Sequence, residues 1–261
     1  MSSSTSADST MSSAIADVKE NVATVLQRIT AAYERADPNR RASSMPRLVA
    51  VSKTKPLELV IACYEVGQRH FGENYVQELD DKANNEQINE LCPDIKWHFI
   101  GTVQTNKIPK LASIPNLFCL ETVGSEKMAK NLNKACEKES RSERLGVMVQ
   151  VNTSAEEQKG GLTLDEAAEL AQLIDKSCPA LRFVGFMTIG SLEMSQAQDG
   201  SNPDFERLAQ TRNKYCALTG AAPASVELSM GMSQDFETAI AQGSTNVRVG
   251  STIFGPRIKR T

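Results

Sequence analysis

The sequence is poor in the residues from which metal sites and disulfide frameworks are built. Only two histidines occur, His70 and His98, in separate segments and with no H-E-x-x-H arrangement, so no metal is expected. Six cysteines (Cys63, Cys92, Cys119, Cys136, Cys178 and Cys216) are scattered without a C-x-x-C pair. That excludes a zinc knuckle, argues against a disulfide scaffold and suits the thiols of a reducing compartment. No G-x-G-x-x-G follows any strand-like run, which weakens a dinucleotide-binding reading. No stretch approaches the roughly 18 uninterrupted apolar residues of a membrane span. A net charge of −3 supplies no field for gathering nucleic acid or acidic membrane. The opening MSSSTSADST has neither the Arg-rich character of a transit peptide nor the apolar core of a signal peptide. The expectation is a cytoplasmic protein with no nucleic-acid or membrane partner.

What the chain does contain is a regular alternation. At 261 residues and 40 % apolar content it can close a substantial core. Residues 1–10 read as a loose, flexible tail and residues 11–261 as one domain. Ile15, Val18, Val22, Val25, Ile29 and Tyr33 recur at three- and four-residue steps and predict a helix that ends near ADPNRRASS. Strands follow at RLVAVSK, GQRHFGEN, IKWHFIG, LFCLETV, LGVMVQVN, LRFVGFMTIG, SVELSMG and NVRVG, separated by segments of helical period such as Leu57, Val60, Ile61 and Tyr64, or Leu164, Ala167, Ala168, Ala171 and Ile174. Thr163 with Glu166 has the form of a capping box, Ser233 is placed as an N-cap ahead of Asp235 and Glu237, and Asp199 to Pro203 reads as a loop. Eight strands, each followed by a helix or turn, with no break in composition between the halves, favour a single (β/α)8 barrel over two Rossmann-like domains.

In such a barrel, functional groups gather at the carboxyl ends of the strands, and a phosphate commonly sits by the last two. The first strand ends in LVAVSKTKP, where alternation sends Lys53 and Lys55 out on one side. A lysine in a barrel mouth is suited to Schiff-base chemistry, because burial depresses its pKa and frees its lone pair. The seventh strand ends in SMGMS and the eighth in RVGST, which together offer hydroxyls, glycines and the fixed charge of Arg248. Serine and glycine at strand-to-helix junctions also serve plain turn chemistry. A closed barrel makes the first strand the neighbour of the eighth, so an amine faces a phosphate nest across a short gap. Pyridoxal 5′-phosphate joins an aldehyde to a phosphate.

The ordered set AVSKTKP, FGENYVQE, WHFIG, Q-x-NK, GFMTIG, LSMGMS-x-D-x-x-x-AI-x-x-GST-x-VR-x-G and IFG, spanning Leu48 to Arg257, resembles the pyridoxal phosphate homeostasis protein family. The resemblance implies the barrel half of the alanine racemases, the fold type III class. It implies Lys53 as the Schiff-base lysine, Arg248 facing the pyridine nitrogen, and Ser229 with the backbone at Gly231, Gly250 and Ser251 around the phosphate. Met232, Asn74 and His98 join them as cofactor-binding residues, although for His98 a satisfied, inward-facing histidine is an equal reading. An arginine at the ring nitrogen keeps it unprotonated, because guanidinium does not give up its proton, and the cofactor is then a poor electron sink. Position 251 is Ser where the family often has Thr, and the hydroxyl survives. Lys55 reads either as a rim charge or as a second amine that assists cofactor uptake, Lys159 as a solvated loop charge, and Tyr75 and Gln77 as packing.

The racemases add a C-terminal β domain and an acid/base tyrosine from a partner subunit, and the sequence stops at Thr261 where the last barrel helix could begin. The expectation is a monomeric, non-catalytic carrier or buffer of the cofactor, with no catalytic residue, that influences amino-acid and keto-acid pools and has cofactor-dependent apo-enzymes as partners. The alternatives are a racemase of low turnover and a lysine Schiff-base aldolase.

Overall fold

The computed structural model describes residues 4–154, 156, 160–195 and 201–256. The predicted strands all form: β1 (Arg47–Val51), β2 (His70–Glu73), β3 (Lys96–Phe99), β4 (Leu117–Val123), β5 (Leu145–Gln150), β6 (Leu181–Met187), β7 (Glu227–Ser229) and β8 (Asn246–Val249). They pair in parallel and in sequence order, and β1 closes on β8 through Leu48 opposite Val247 and Val49 opposite Arg248. Such strands are covered on both faces, which is why runs like Leu48 to Val51 are apolar throughout rather than alternating. The helices between them bury one stripe each against the outside of the barrel. Thr163 and Glu166 make the expected reciprocal capping box at the start of the helix Leu164–Ser177.

The helix Ser4–Arg35 begins inside the stretch that the sequence assigns to a loose tail. It buries Val18, Val22, Val25 and Ile29 against the helices Leu57–Glu65, Phe236–Ala241 and Ser251–Phe254, across the seam where the barrel closes. Arg28 adds a two-pronged pair to Glu237, with both bonds at 3.0 Å.

Three local expectations change. Asp235, not Ser233, precedes the helix Phe236–Ala241, and its carboxylate accepts the Met232 N–H instead of capping forwards. Pro203 is the first residue of the helix Pro203–Thr219, where its fixed φ and missing N–H are tolerated. Asn202 caps that helix by accepting from Asp204 N–H, and Asp199 and Gly200 lie outside the described residues. In the helix Leu57–Glu65 the deepest side chains are Val60, Ala62 and Cys63, with Leu57, Ile61 and Tyr64 only partly buried.

All six cysteines are free thiols, and burial pushes Cys63 up to about 12. Among the described residues no helix is long and apolar enough to cross a membrane.

Candidate functional site

At the carboxyl ends of β1, β6, β7 and β8 lies a cavity of about 260 Å³. Lys53, Lys55, Ser195, Met232, Ser233, Asp235, Arg248, Gly250 and Ser251 line it, over an apolar floor edge of Val51 and Ile100. The two lysines reach the same cavity for a reason other than strand alternation. β1 stops at Val51, and the chain then turns through Lys53 and Thr54, the latter at φ 61°. Lys55 is committed: its ammonium donates to Phe254 O at 2.7 Å and to Pro256 O at 3.1 Å, capping the helix Ser251–Phe254. Burial lowers its pKa. Lys159 lies outside the described residues.

The β7 and β8 ends are stitched to each other. Gly231 adopts φ +93°, a region that favours glycine, and a Cβ there would stand 2.6 Å from Ala239 Cβ and 2.9 Å from Phe236 Cα. Its carbonyl accepts the Arg248 N–H at 3.0 Å. Ser233 Oγ accepts the Gly250 N–H at 3.1 Å, so the serine expected to cap a helix instead joins the two loops. Asp235 ties in a third element, because its second oxygen accepts the Ser195 hydroxyl at 2.5 Å. At Gly250 a Cβ would meet only Val51, at an ordinary 3.4 Å. The tight glycine of this mouth is therefore Gly231.

Below the cavity a hydrogen-bonded chain descends through the barrel. Arg248 is 4 % exposed and donates to Ser229 Oγ and to Thr188 O, both at 2.6 Å. Ser229 Oγ donates to Glu121 Oε2 at 2.6 Å, and Asn246 Nδ2 donates to both Ser229 Oγ and Glu121 Oε1 at 3.0 Å. His98 Nδ1 lies 2.6 Å from Glu121 Oε1, and His98 Nε2 lies 2.8 Å from His70 Nδ1. An ionised carboxylate only accepts, so His98 Nδ1 bears a proton and donates it to Glu121. Burial alone would raise the Glu121 pKa, but the His98 bond and the charges of His98 and Arg248 outweigh it and hold Glu121 below the usual carboxylate range. Burial, with His98, Arg47 and Lys96 adding to it, drives His70 down to about 2. Burial also lowers Arg248, against Glu121 and Asp235, yet a guanidinium stays charged at neutral pH.

Two of the candidate residues stand below the cavity wall rather than in it. Ser229 is fully buried, and its hydroxyl donates to Glu121 and accepts from Arg248. His98 is likewise fully buried and bound on both ring nitrogens, the satisfied inward-facing histidine. Cys119 brings a third potential ligand within 4.8 Å of His98 and Glu121, but burial raises its thiol well above the usual value, away from the thiolate that ligates metals.

Asn74, past the end of β2, is partly buried, and its Oδ1 has no hydrogen-bond partner among the described residues. Tyr75 and Gln77 are exposed rather than packed. Lys53, Met232, Arg248, Gly250 and Ser251 are brought together at the cavity, Gly231 shapes its wall, and Ser229, His98 and Asn74 stand off it. Glu121, Asn246, Thr188, Ser195 and Asp235 were not foreseen. For Glu121 a signal exists, a carboxylate in the otherwise apolar strand LFCLETV.

The chain matches the family model described as alanine racemase, N-terminal domain, over residues 26–257. It is 54 % identical over 233 residues to a pyridoxal phosphate homeostasis protein of Bos taurus, covering 89 % of this chain and 85 % of that one. Its counterpart in Homo sapiens is 52 % identical over 233 residues, covering 89 % of this chain and 84 % of the human protein. Among solved structures it is similar to PipY of Synechococcus elongatus with PLP bound, at a TM-score of 0.68 and 30 % identity, covering 88 % of this chain and all of PipY.

Proposed function

The chain belongs to the alanine racemase N-terminal domain family and, within it, to the pyridoxal phosphate homeostasis proteins, and on that premise we propose that it binds pyridoxal 5′-phosphate as a Schiff base on Lys53 and acts as an intracellular carrier or buffer of it. The observation that carries the reading is convergence: an amine, a buried guanidinium and two linked hydroxyl- and amide-bearing loops share one cavity. When bound, the group supplies an aldehyde that condenses with a lysine amine and loses water. Arg248, locked by Ser229 and Thr188, would present a fixed charge to the ring nitrogen. The backbone N–H groups of Ser233 and Ser251 and the Ser251 hydroxyl would hold the phosphate, with Met232 and Gly250 shaping the wall around it. In this reading the partners that receive the cofactor are cytoplasmic PLP-dependent apo-enzymes, and the protein acts as a monomer.

The phosphate assignment divides the two serines. Wild type should bind pyridoxal far more weakly than its phosphate. Ser251→Ala should cost about 1–3 kcal/mol toward the phosphate ester, as for a bond to a charged group, and nothing toward pyridoxal. Ser229→Ala should weaken both ligands by one factor, because its hydroxyl acts through Arg248. Parallel titrations check this, and a wild type that holds pyridoxal as tightly as the phosphate would refute the nest.

A non-catalytic role is supported by the wall chemistry. Among the described residues that line the cavity there is neither tyrosine nor histidine, and Asp235 is already engaged by Met232 and Ser195. Racemisation of alanine by the loaded protein should therefore fall well below an ordinary enzyme's roughly 1–10³ per second. Turnover inside that range, followed by polarimetry, would establish the racemase alternative.

A further inference from the structure

Outside the cavity, one buried ionic cluster has no role in the reading above. β2 ends in Glu73, which is fully buried, and the helix Val76–Ala83 carries Glu78 and Lys82 four residues apart on one face. Lys82 is 5 % exposed. Its ammonium spends its three protons on Glu73 Oε1 at 2.7 Å, Glu78 Oε1 at 2.8 Å and Ser52 O at 2.8 Å. Glu73 Oε1 also accepts the Ser52 hydroxyl at 2.7 Å, and Glu78 Oε1 accepts the Thr54 N–H at 2.5 Å. The cluster thus grips the chain on both sides of Lys53, through the carbonyl and hydroxyl of Ser52 and the amide of Thr54.

Two features indicate that the grip matters for the turn. Thr54 sits at φ 61°, an unfavourable region for a β-branched residue, which persists only where the surroundings over-determine it. Core stability does not call for the cluster either, since well-packed apolar residues commonly replace a buried ion pair without loss. Glu73 even keeps its Oε2 buried with no hydrogen-bond partner among the described residues. Burial accordingly raises the Glu73 pKa, against the pull of Lys82.

We propose that Glu73, Glu78 and Lys82 are positioning residues that fix the turn Ser52–Thr54 so that the Lys53 amine is presented to the cavity. The inference rests on the reading of Lys53 as the attachment lysine. Its geometric content is separate: without the cluster the turn relaxes from the positive φ at Thr54, and the amine loses its fixed direction. Misplacing a reacting group by about 1 Å costs on the order of 100-fold in rate.

The test uses full-length wild type, Lys82→Met, Glu78→Ala and Glu78→Gln. Each is mixed with pyridoxal 5′-phosphate, attachment is followed by visible absorption, and the product is reduced with borohydride and mapped. The apo-proteins are also labelled with acetic anhydride to read the Lys53 amine without cofactor. Lys82→Met and Glu78→Ala should attach about 10- to 100-fold more slowly at Lys53. Their Lys53 amine should react with the anhydride at an altered rate. Glu78→Gln retains an acceptor oxygen for Thr54 N–H and should return close to wild type, a rescue that general loosening of the fold would not show.

If all variants load Lys53 at the wild-type rate, the positioning role is overturned. If wild type carries no label on Lys53, the attachment reading fails, and unchanged anhydride reactivity across the variants then overturns the positioning role on its own. Should Lys82→Met not fold, the Glu78 pair decides, because Glu78 lies at the half-exposed edge of the cluster.

Discussion

Lys53→Ala is expected to give a folded protein that retains no visible absorption band after incubation with pyridoxal 5′-phosphate and gel filtration. Lys53 is half-buried in a turn beyond the end of β1, so truncating it removes no strand hydrogen bond and no core side chain. The fold should stay intact, because the side chain lies outside the core. Lys55 should not take over. Three protons make an ammonium, and in Lys55 they point at the carbonyls of Phe254, Gly255 and Pro256, leaving no lone pair for an aldehyde. Borohydride reduction of the loaded wild type should place the pyridoxyl group on Lys53, and recovery chiefly on Lys55 or Lys159 would reject the assignment.

The barrel was readable because its strands are short apolar runs set at regular intervals between helical periods, a pattern that local sequence carries in full. The cavity wall was readable in part for the same reason: in a closed barrel whose strands follow sequence order, β8 neighbours β1 and β7 lies one strand further on. Side-chain direction was less accessible. Ser229 pairs in register with Asn246, and both look across the barrel at Glu121, which is 108 and 125 residues away in sequence. No local pattern reports that meeting. The Ser233 and Asp235 roles were missed because a capping signature and a loop-to-loop bond use the same oxygens, and only tertiary placement separates them. The cluster around Lys82 was hidden similarly, since VQELDDKA has the charge pattern of a solvated helix while its Lys82 faces inward.

Glu121→Ala should be among the most destabilising single changes in the protein, because it leaves the Arg248 guanidinium buried with no carboxylate at the other end of Ser229. Removing one partner of a buried charge pair costs about 3–5 kcal/mol, where an exposed pair costs less than about 1. Glu121→Gln preserves shape and separates charge from packing. The Glu121 pKa is held below its ordinary 4.5, so its stabilisation is present above that value and is lost as pH falls through the lower, folded-state value. Burial raises Glu73, which acts in the opposite sense, present below 4.5 and lost as pH rises, and it is common to both proteins in the comparison. The acid side of the stability curve should therefore be flatter in Glu121→Gln than in wild type, as read by urea unfolding across pH. Arg248→Ala combined with Glu121→Ala should cost less than the sum of the two single changes, since the double variant buries neither charge alone. Strict additivity, or a loss under about 1 kcal/mol in Glu121→Ala, would mean that the chain from Arg248 to His70 is not one coupled unit.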